Sequence, residues 1–159
     1  MANRYKGPPA EKRALEAYVK LRRAEETVTG NLVRDMTKAG LTESQFGVLE
    51  ALHHIGPLCQ RELAGKLLKT SGNITMVIDN LEKSGWVQRQ REQNDRRVVT
   101  VRLTGGGSRL IKRLFPRHAR AVKAQMGALT VAEQKELARL CRKLGIGSNS
   151  SREKEPTER

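Results

Sequence analysis

Residues 70–103 read TSGNITMVIDNLEKSGWVQRQREQNDRRVVTVRL, and partway along them the spacing of apolar residues changes. Ile74, Val77, Ile78 and Leu81 recur at i, i+3, i+4 and i+7, which defines one buried helix face. The outward positions of that helix are Gly72, Asn73, Thr75, Met76, Asp79 and Lys83. They are small and polar near the helix start, so no bulky side chain opposes close approach of a partner. Asp79 and Lys83 stand four apart and are expected to form a surface ion pair. Gly85 ends the helix. Beyond it the period falls to two: Val99, Val101 and Leu103 alternate with Thr100 and Arg102, the pattern of a half-buried strand. Paired with residues 86–90 across the polar tip 92–94, this strand predicts a hairpin.

Upstream, Thr42-x-x-Gln45 is a capping box that opens a helix with Phe46, Leu49 and Leu52 at helical spacing. Gly56-Pro57 stops it, and a short helix over 60–67 turns Leu63, Ala64 and Leu67 inward. Helix, turn, helix and basic hairpin together make a winged helix-turn-helix. Its second helix suits a major groove and its hairpin tip the neighbouring minor groove. Ahead of this core, Ala14, Leu15, Tyr18, Leu21, Val28, Leu32, Val33 and Met36 form one stripe that runs straight through Gly30, predicting a single long helix.

Behind the core, three glycines at 105–107 are expected to break the chain before a helix over 108–126. That helix carries Arg109, Lys112, Arg113, Arg117, Arg120 and Lys123 and no acid. At about 100° per residue the six cations fall within about 140°, opposite Leu110, Ile111, Leu114, Val122 and Met126. Pro116 should bend it. Thr130-x-x-Glu133 opens a last helix, whose stripe Leu137, Leu140 and Leu144 ends at Gly145. A winged-helix core needs neither terminal helix, so both predict a dimerisation module. The expected fold class is mainly α with a small β hairpin. The expected organisation is an N-terminal dimerisation helix (10–40), the DNA-binding core (41–104), C-terminal dimerisation helices (105–145) and a disordered tail (146–159).

Composition narrows the partners. The chain has 159 residues, 31 Lys plus Arg and 17 Asp plus Glu, for a net charge of +14. A field of that sign attracts nucleic acid or an anionic surface. Only five aromatics are present (Tyr5, Tyr18, Phe46, Trp86 and Phe115), too few for stacking on single strands. Double-stranded DNA is favoured. The charge is uneven: residues 105–145 net +8, with ten basic and two acidic side chains, whereas 41–104 net only +2. The longest charge-free stretch is ten residues (51–60), against roughly 18–20 for a membrane span. The N-terminus is charged and has no apolar signal segment, so a cytoplasmic protein with no membrane partner is expected. The two cysteines stand 82 positions apart without a CxxC, which excludes a disulfide scaffold and a zinc ribbon. No phosphate-cradling loop, nucleophile triad or paired His ligands occur, so neither an enzyme nor a cofactor or metal is expected.

The stretch ELAGKLLKTSGNITMVIDNLEKSGWVQRQREQNDRRVVTVRLTGGG (62–107) resembles the MarR family (multiple antibiotic resistance regulators). The Asp95-Arg96-Arg97 triplet carries the likeness, followed by Leu103, Thr104 and Gly107, and so do segments 114–122 and 129–145. The resemblance implies a homodimeric DNA-binding transcriptional regulator, most often a repressor, released by a small ligand or by thiol oxidation. Carried over by position, the groove-reading residues are Ser71, Gly72, Asn73, Thr75 and Met76. Arg97, beside Arg96, matches the wing arginine of the minor groove, and Asp95 matches the acid that holds it. The implied operator is a pseudo-palindrome with half-sites about one turn, ~10 bp, apart.

An effector would sit between the core and the helical dimer module, where Tyr18, His53 and His118 are the ionisable or aromatic candidates. A satisfied core histidine is the plainer reading of His118. Cys59, in GPLCQRELA, stands where a helix usually takes a Ser or Thr cap, three residues before Glu62. The helix dipole there favours a thiolate and Glu62 opposes it, so a redox switch and a small buried hydrophobe are both open. Cys141, on the last apolar stripe, reads as core. A non-specific architectural DNA-binding protein is the alternative function, and the preference for operator over random DNA separates the two.

Overall fold

The computed structural model describes residues 5–91 and 99–152, apart from the side chains of Asp35 and 146–152. The expected wing tip, with Asp95, Arg96 and Arg97, lies outside the described residues. The elements run α1 (Pro9–Lys38), α2 (Glu43–Ile55), β1 (Leu58–Cys59), α3 (Gln60–Lys66), α4 (Ser71–Lys83), β2 (Val87–Arg91), β3 (Val99–Leu103), α5 (Gly105–Met126) and α6 (Val131–Arg152). They divide into two compact units, Met1–Ala119 and Arg120–Arg159.

In the first unit, α1 is one continuous helix through Gly30. The capping box at Thr42 closes as expected: the Thr42 N–H donates to Gln45 Oε1 at 2.9 Å and the Gln45 N–H to Thr42 Oγ1 at 3.2 Å. Gly56 ends α2 at φ 98°, a backbone angle that a side chain would strain. The expected hairpin forms with Val87 opposite Leu103 and Arg91 opposite Val99. A third strand joins it, since β1 pairs antiparallel with β3 and the sheet order is β1-β3-β2. At two residues, β1 is too short to show alternation in the sequence. Leu49, Leu63, Ile74, Ile78, Leu81, Val87, Val101 and Ile111 are essentially inaccessible and tie α2, α3, α4, the sheet and the start of α5 together. Each such side chain contributes roughly 1.5–3 kcal/mol by leaving water.

The glycine run at 105–107 is not a break: it is the first turn of α5, which begins at Gly105 and not at residue 108. Thr104 organises it. Its N–H donates to the Trp86 carbonyl at 3.1 Å, its Oγ1 donates to the Gly85 carbonyl at 2.7 Å, and it accepts the Gly107 N–H at 3.0 Å. A Cβ on Gly107 would collide with the Trp86 carbonyl, so this position must be glycine. Wing and helix are thereby locked at one joint.

In the second unit, Thr130 and Glu133 form the expected box. The Thr130 N–H donates to Glu133 Oε2 at 2.8 Å and the Glu133 N–H to Thr130 Oγ1 at 3.3 Å. These bonds hold the Glu133 carboxyl below its usual range. The last helix continues past Gly145 to Arg152, so the expected tail at 146–159 begins as helix. No proline stands between Gly145 and Arg152 and Gly145 lacks a positive φ, so nothing stops the helix there. Leu137, Leu140 and Leu144 are exposed, and so is Cys141, which is not a core residue of this chain.

Candidate nucleic-acid interface

The site is built on α4. Thr70 caps its N-terminus by accepting the Asn73 N–H at 3.3 Å, and Ile74, Val77, Ile78 and Leu81 are buried behind it. Burial of those four turns the opposite face outward. Ser71, Gly72 and Asn73 are exposed in the first turn, and Met76 is 58% exposed one turn on. No atom lies within 4 Å of where a Gly72 Cβ would stand, so the surface is open to a ligand's backbone or base edge. Thr75 differs from its four companions. It is half-buried, its Oγ1 donates to the Ser71 carbonyl at 2.8 Å, and it receives a bond from Gln60 Nε2 on α3. Four of the five expected reading residues therefore share one exposed patch, and Thr75 forms its inner edge.

The expected Asp79–Lys83 pair does not form. Asp79 instead accepts from Arg89 Nη2 of β2 at 2.5 Å, while Glu82 accepts from Arg89 Nη1 at 2.5 Å and from the Arg89 N–H at 2.8 Å. A planar guanidinium can bridge two carboxylates at once, which a lysine four residues along the same helix cannot. Partial burial pulls the Arg89 pKa down, but the bonds to Asp79 and Glu82 outweigh it and hold it above its usual value. Arg89 is thus a clamp between α4 and the wing stem. Sequence reading by single-helix periodicity missed it, as it missed Gln60. The signal was an acid at 82 and an arginine at 89 facing each other across the Gly85 turn.

The effector candidates divide. A cleft of about 280 Å³ opens beside Leu32, Val33 and Met36 of α1, Phe46 and Glu50 of α2, and His118. The His118 ring lies 4.7 Å from that of Phe46. His53 is not on the cleft but stacks near His54 (4.9 Å) and Phe115 (6.3 Å), which in turn lies 6.4 Å from His118. Tyr18 belongs to neither group: it is 59% exposed on α1.

Cys59 is half-buried at the cap of α3, and its N–H donates to Glu62 Oε2 at 2.7 Å. That bond, with one from the thiol, holds the Glu62 carboxyl below its usual range. The sulfur therefore has an ionised carboxylate for a neighbour, the opposite of the cationic surroundings that activate a cysteine. Among the described residues, no three His, Cys, Asp or Glu side chains gather as a metal site, and no helix is long and apolar enough to cross a membrane.

Comparison with known proteins bears directly on this arrangement. A family model described as "MarR family" matches residues 41–99, the α2-to-wing segment. The HTH-type transcriptional regulator YkoM of Bacillus subtilis is 35% identical over 136 residues, covering 86% of this chain and 88% of that one. Among solved structures, Sco3205, a MarR family transcriptional regulator from Streptomyces coelicolor in complex with DNA, superposes with a TM-score of 0.79 at 26% identity, covering 91% of this chain and 92% of the other. BpsR of Bordetella bronchiseptica, whose DNA binding is regulated by 6-hydroxynicotinic acid, matches at 0.72 and 26%, covering 79% and 89%.

Proposed function

The chain belongs to the MarR family of transcriptional regulators, and from that premise we propose that it is a homodimeric, cytoplasmic repressor of duplex DNA released by a small organic ligand. The observation that carries this reading is the exposed Ser71, Gly72, Asn73 and Met76 face of α4, clamped through Arg89 to the strand that leads into the wing. Small polar groups there meet base edges in a major groove, while Arg97, steadied by Asp95 and beside Arg96, enters the adjacent minor groove. A relative of the same fold is known in complex with DNA, which supports that docking.

Dimerisation follows from surface that one chain leaves uncovered. Leu15, Tyr18, Val19 and Leu21 of α1 and Leu137, Leu140 and Leu144 of α6 are all exposed, and apolar stripes of that extent mark association surfaces. For the effector, the cleft beside Phe46 and His118 is the site, with His53 reaching it only through Phe115. A ligand there touches both α1 and α2, so it couples the dimer helices to the reading core. Control of BpsR by a small heteroaromatic acid supports the principle of such release. Thiol control through Cys59 is disfavoured by its carboxylate neighbour.

The test is selection of bound duplexes from a random pool with the full-length protein, alongside sedimentation. The expected result is a dimer at micromolar concentration and a pseudo-palindrome with half-sites about one turn, ~10 bp, apart. A monomer, or a pool that stays random, contradicts it.

A further inference from the structure

The groove-reading core and the strongest positive charge of this chain are in different places. Residues 41–104 net +2, whereas 105–145 net +8. Phosphate neutralisation supplies most of the sequence-independent part of DNA affinity, and a nearly neutral core supplies little of it. In the first unit, the start of α5 presents Arg109, Lys112, Arg113 and Arg117, all exposed, with no acid anywhere in the helix. Among the described residues none of the four makes an ion pair. The spacing of four between Arg109, Arg113 and Arg117 also sets like charges side by side. A helix surface of this kind is held together against its own repulsion by the burial of Leu110 and Ile111 on its other side.

We propose that this face of α5 is a second DNA-contact surface, which binds the phosphates of duplex DNA flanking the operator. The inference rests on the DNA-binding reading above. Its geometry suits a linear polyanion: Arg109 to Arg117 spans about 12 Å along the helix, the axial run of three to four phosphates on one strand. Its position suits the flank, because α5 starts at the foot of the wing. There Thr104 bonds to the Gly85 carbonyl beyond the C-terminal end of α4. Ser71, at the other end of α4, lies about 18 Å away along that helix. The phosphates met by α5 are therefore outside the groove segment that α4 reads.

The test measures the slope of log affinity against log salt for the duplex recovered by selection, once embedded in roughly 60 bp and once trimmed to roughly 20 bp. Wild type is compared with Lys112→Gln/Arg113→Gln/Arg117→Gln and with Arg113→Lys/Arg117→Lys, each checked for an unchanged thermal melt. At about 0.9 per phosphate, the neutralised variant should lose at least about 2 from the slope on the long duplex. It should match wild type on the trimmed one, and the lysine variant should match wild type on both. Equal slopes for the neutralised variant and wild type on the long duplex overturn the proposal. So does a deficit as large on the trimmed duplex, or a lysine variant that behaves like the neutralised one. Failure of wild type to bind either duplex would instead sink the DNA-binding reading on which the proposal rests.

Discussion

Helices α4 and α5 bury aliphatic faces in the same core, through Ile74, Ile78 and Leu81 on one and Leu110 and Ile111 on the other, yet their outer faces differ in kind. The outer face of α4 is short, polar and nearly uncharged, and its two acids are occupied by Arg89. That of α5 is a row of exposed cations that make no ion pair among the described residues. Base edges are distinguished by hydrogen bonds at close range, which long charged side chains would hinder. Phosphates are held by charge and tolerate loose geometry. On the proposed reading, discrimination and electrostatic attraction fall to separate helices, which share one core and meet at the Trp86–Gly107 contact.

That joint is where the division is easiest to break. Gly107→Val should destabilise the protein by about 3 kcal/mol in denaturant unfolding, because its side chain meets the Trp86 carbonyl. Gly106→Ala, whose Cβ would find only ordinary contact with Thr104 and the Trp86 ring, should be neutral or stabilising. Equal effects at the two positions would remove the joint. Next in size, Arg97→Ala should weaken operator binding by roughly 1–3 kcal/mol in a titration, while leaving folding unchanged.

The clamp gives a finer division. Arg89→Gln leaves Asp79 and Glu82 facing each other and should cost about 1–2 kcal/mol of stability; Lys83→Gln should stay within about 0.5 kcal/mol. A larger loss from Lys83 would restore the i,i+4 pair that periodicity suggested. Thr42→Ala, which opens the capping box of α2, should cost about 1 kcal/mol. The smallest effect is at Glu62. Its carboxyl is held below the usual range by the Cys59 N–H, so the contribution is present above the ordinary glutamate value and lost as pH falls through the lowered one. Acid unfolding of Glu62→Gln should lack that part of the pH dependence.

How much of this was legible depended on whether a feature is local. The α4 stripe, the capping boxes at Thr42 and Thr130 and the continuity of α1 all follow from spacing within one element, and all are present. The strand read from Val99 to Leu103 also forms, but its burial does not alternate: Val101 is buried and its four neighbours are all half-buried, because β3 lies between β1 and β2. What spacing could not show is what needs two elements. Arg89 takes Asp79 from Lys83 because a hairpin carries it back over α4, and Gln60 reaches Thr75 from α3. Strand β1 exists only because β3 is there to pair with Leu58. The glycines at 105–107 look like a break in isolation, yet they are the turn that lets α5 approach Trp86. Of the effector residues, His118 reached the cleft because it shares the apolar side of α5. Tyr18 did not, since it stands in the N-terminal half of the α1 stripe, which is exposed, while Leu32, Val33 and Met36 at the other end line the cleft.

The central claim, that α4 and the wing read sequence, is tested most directly by one ratio: the affinity for the selected duplex over that for random duplex of equal length, at physiological salt. A regulator that discriminates through the Ser71, Gly72, Asn73 and Met76 face should show a preference of at least about 10³-fold. A ratio near one would contradict the account and leave a basic protein that coats DNA without reading it.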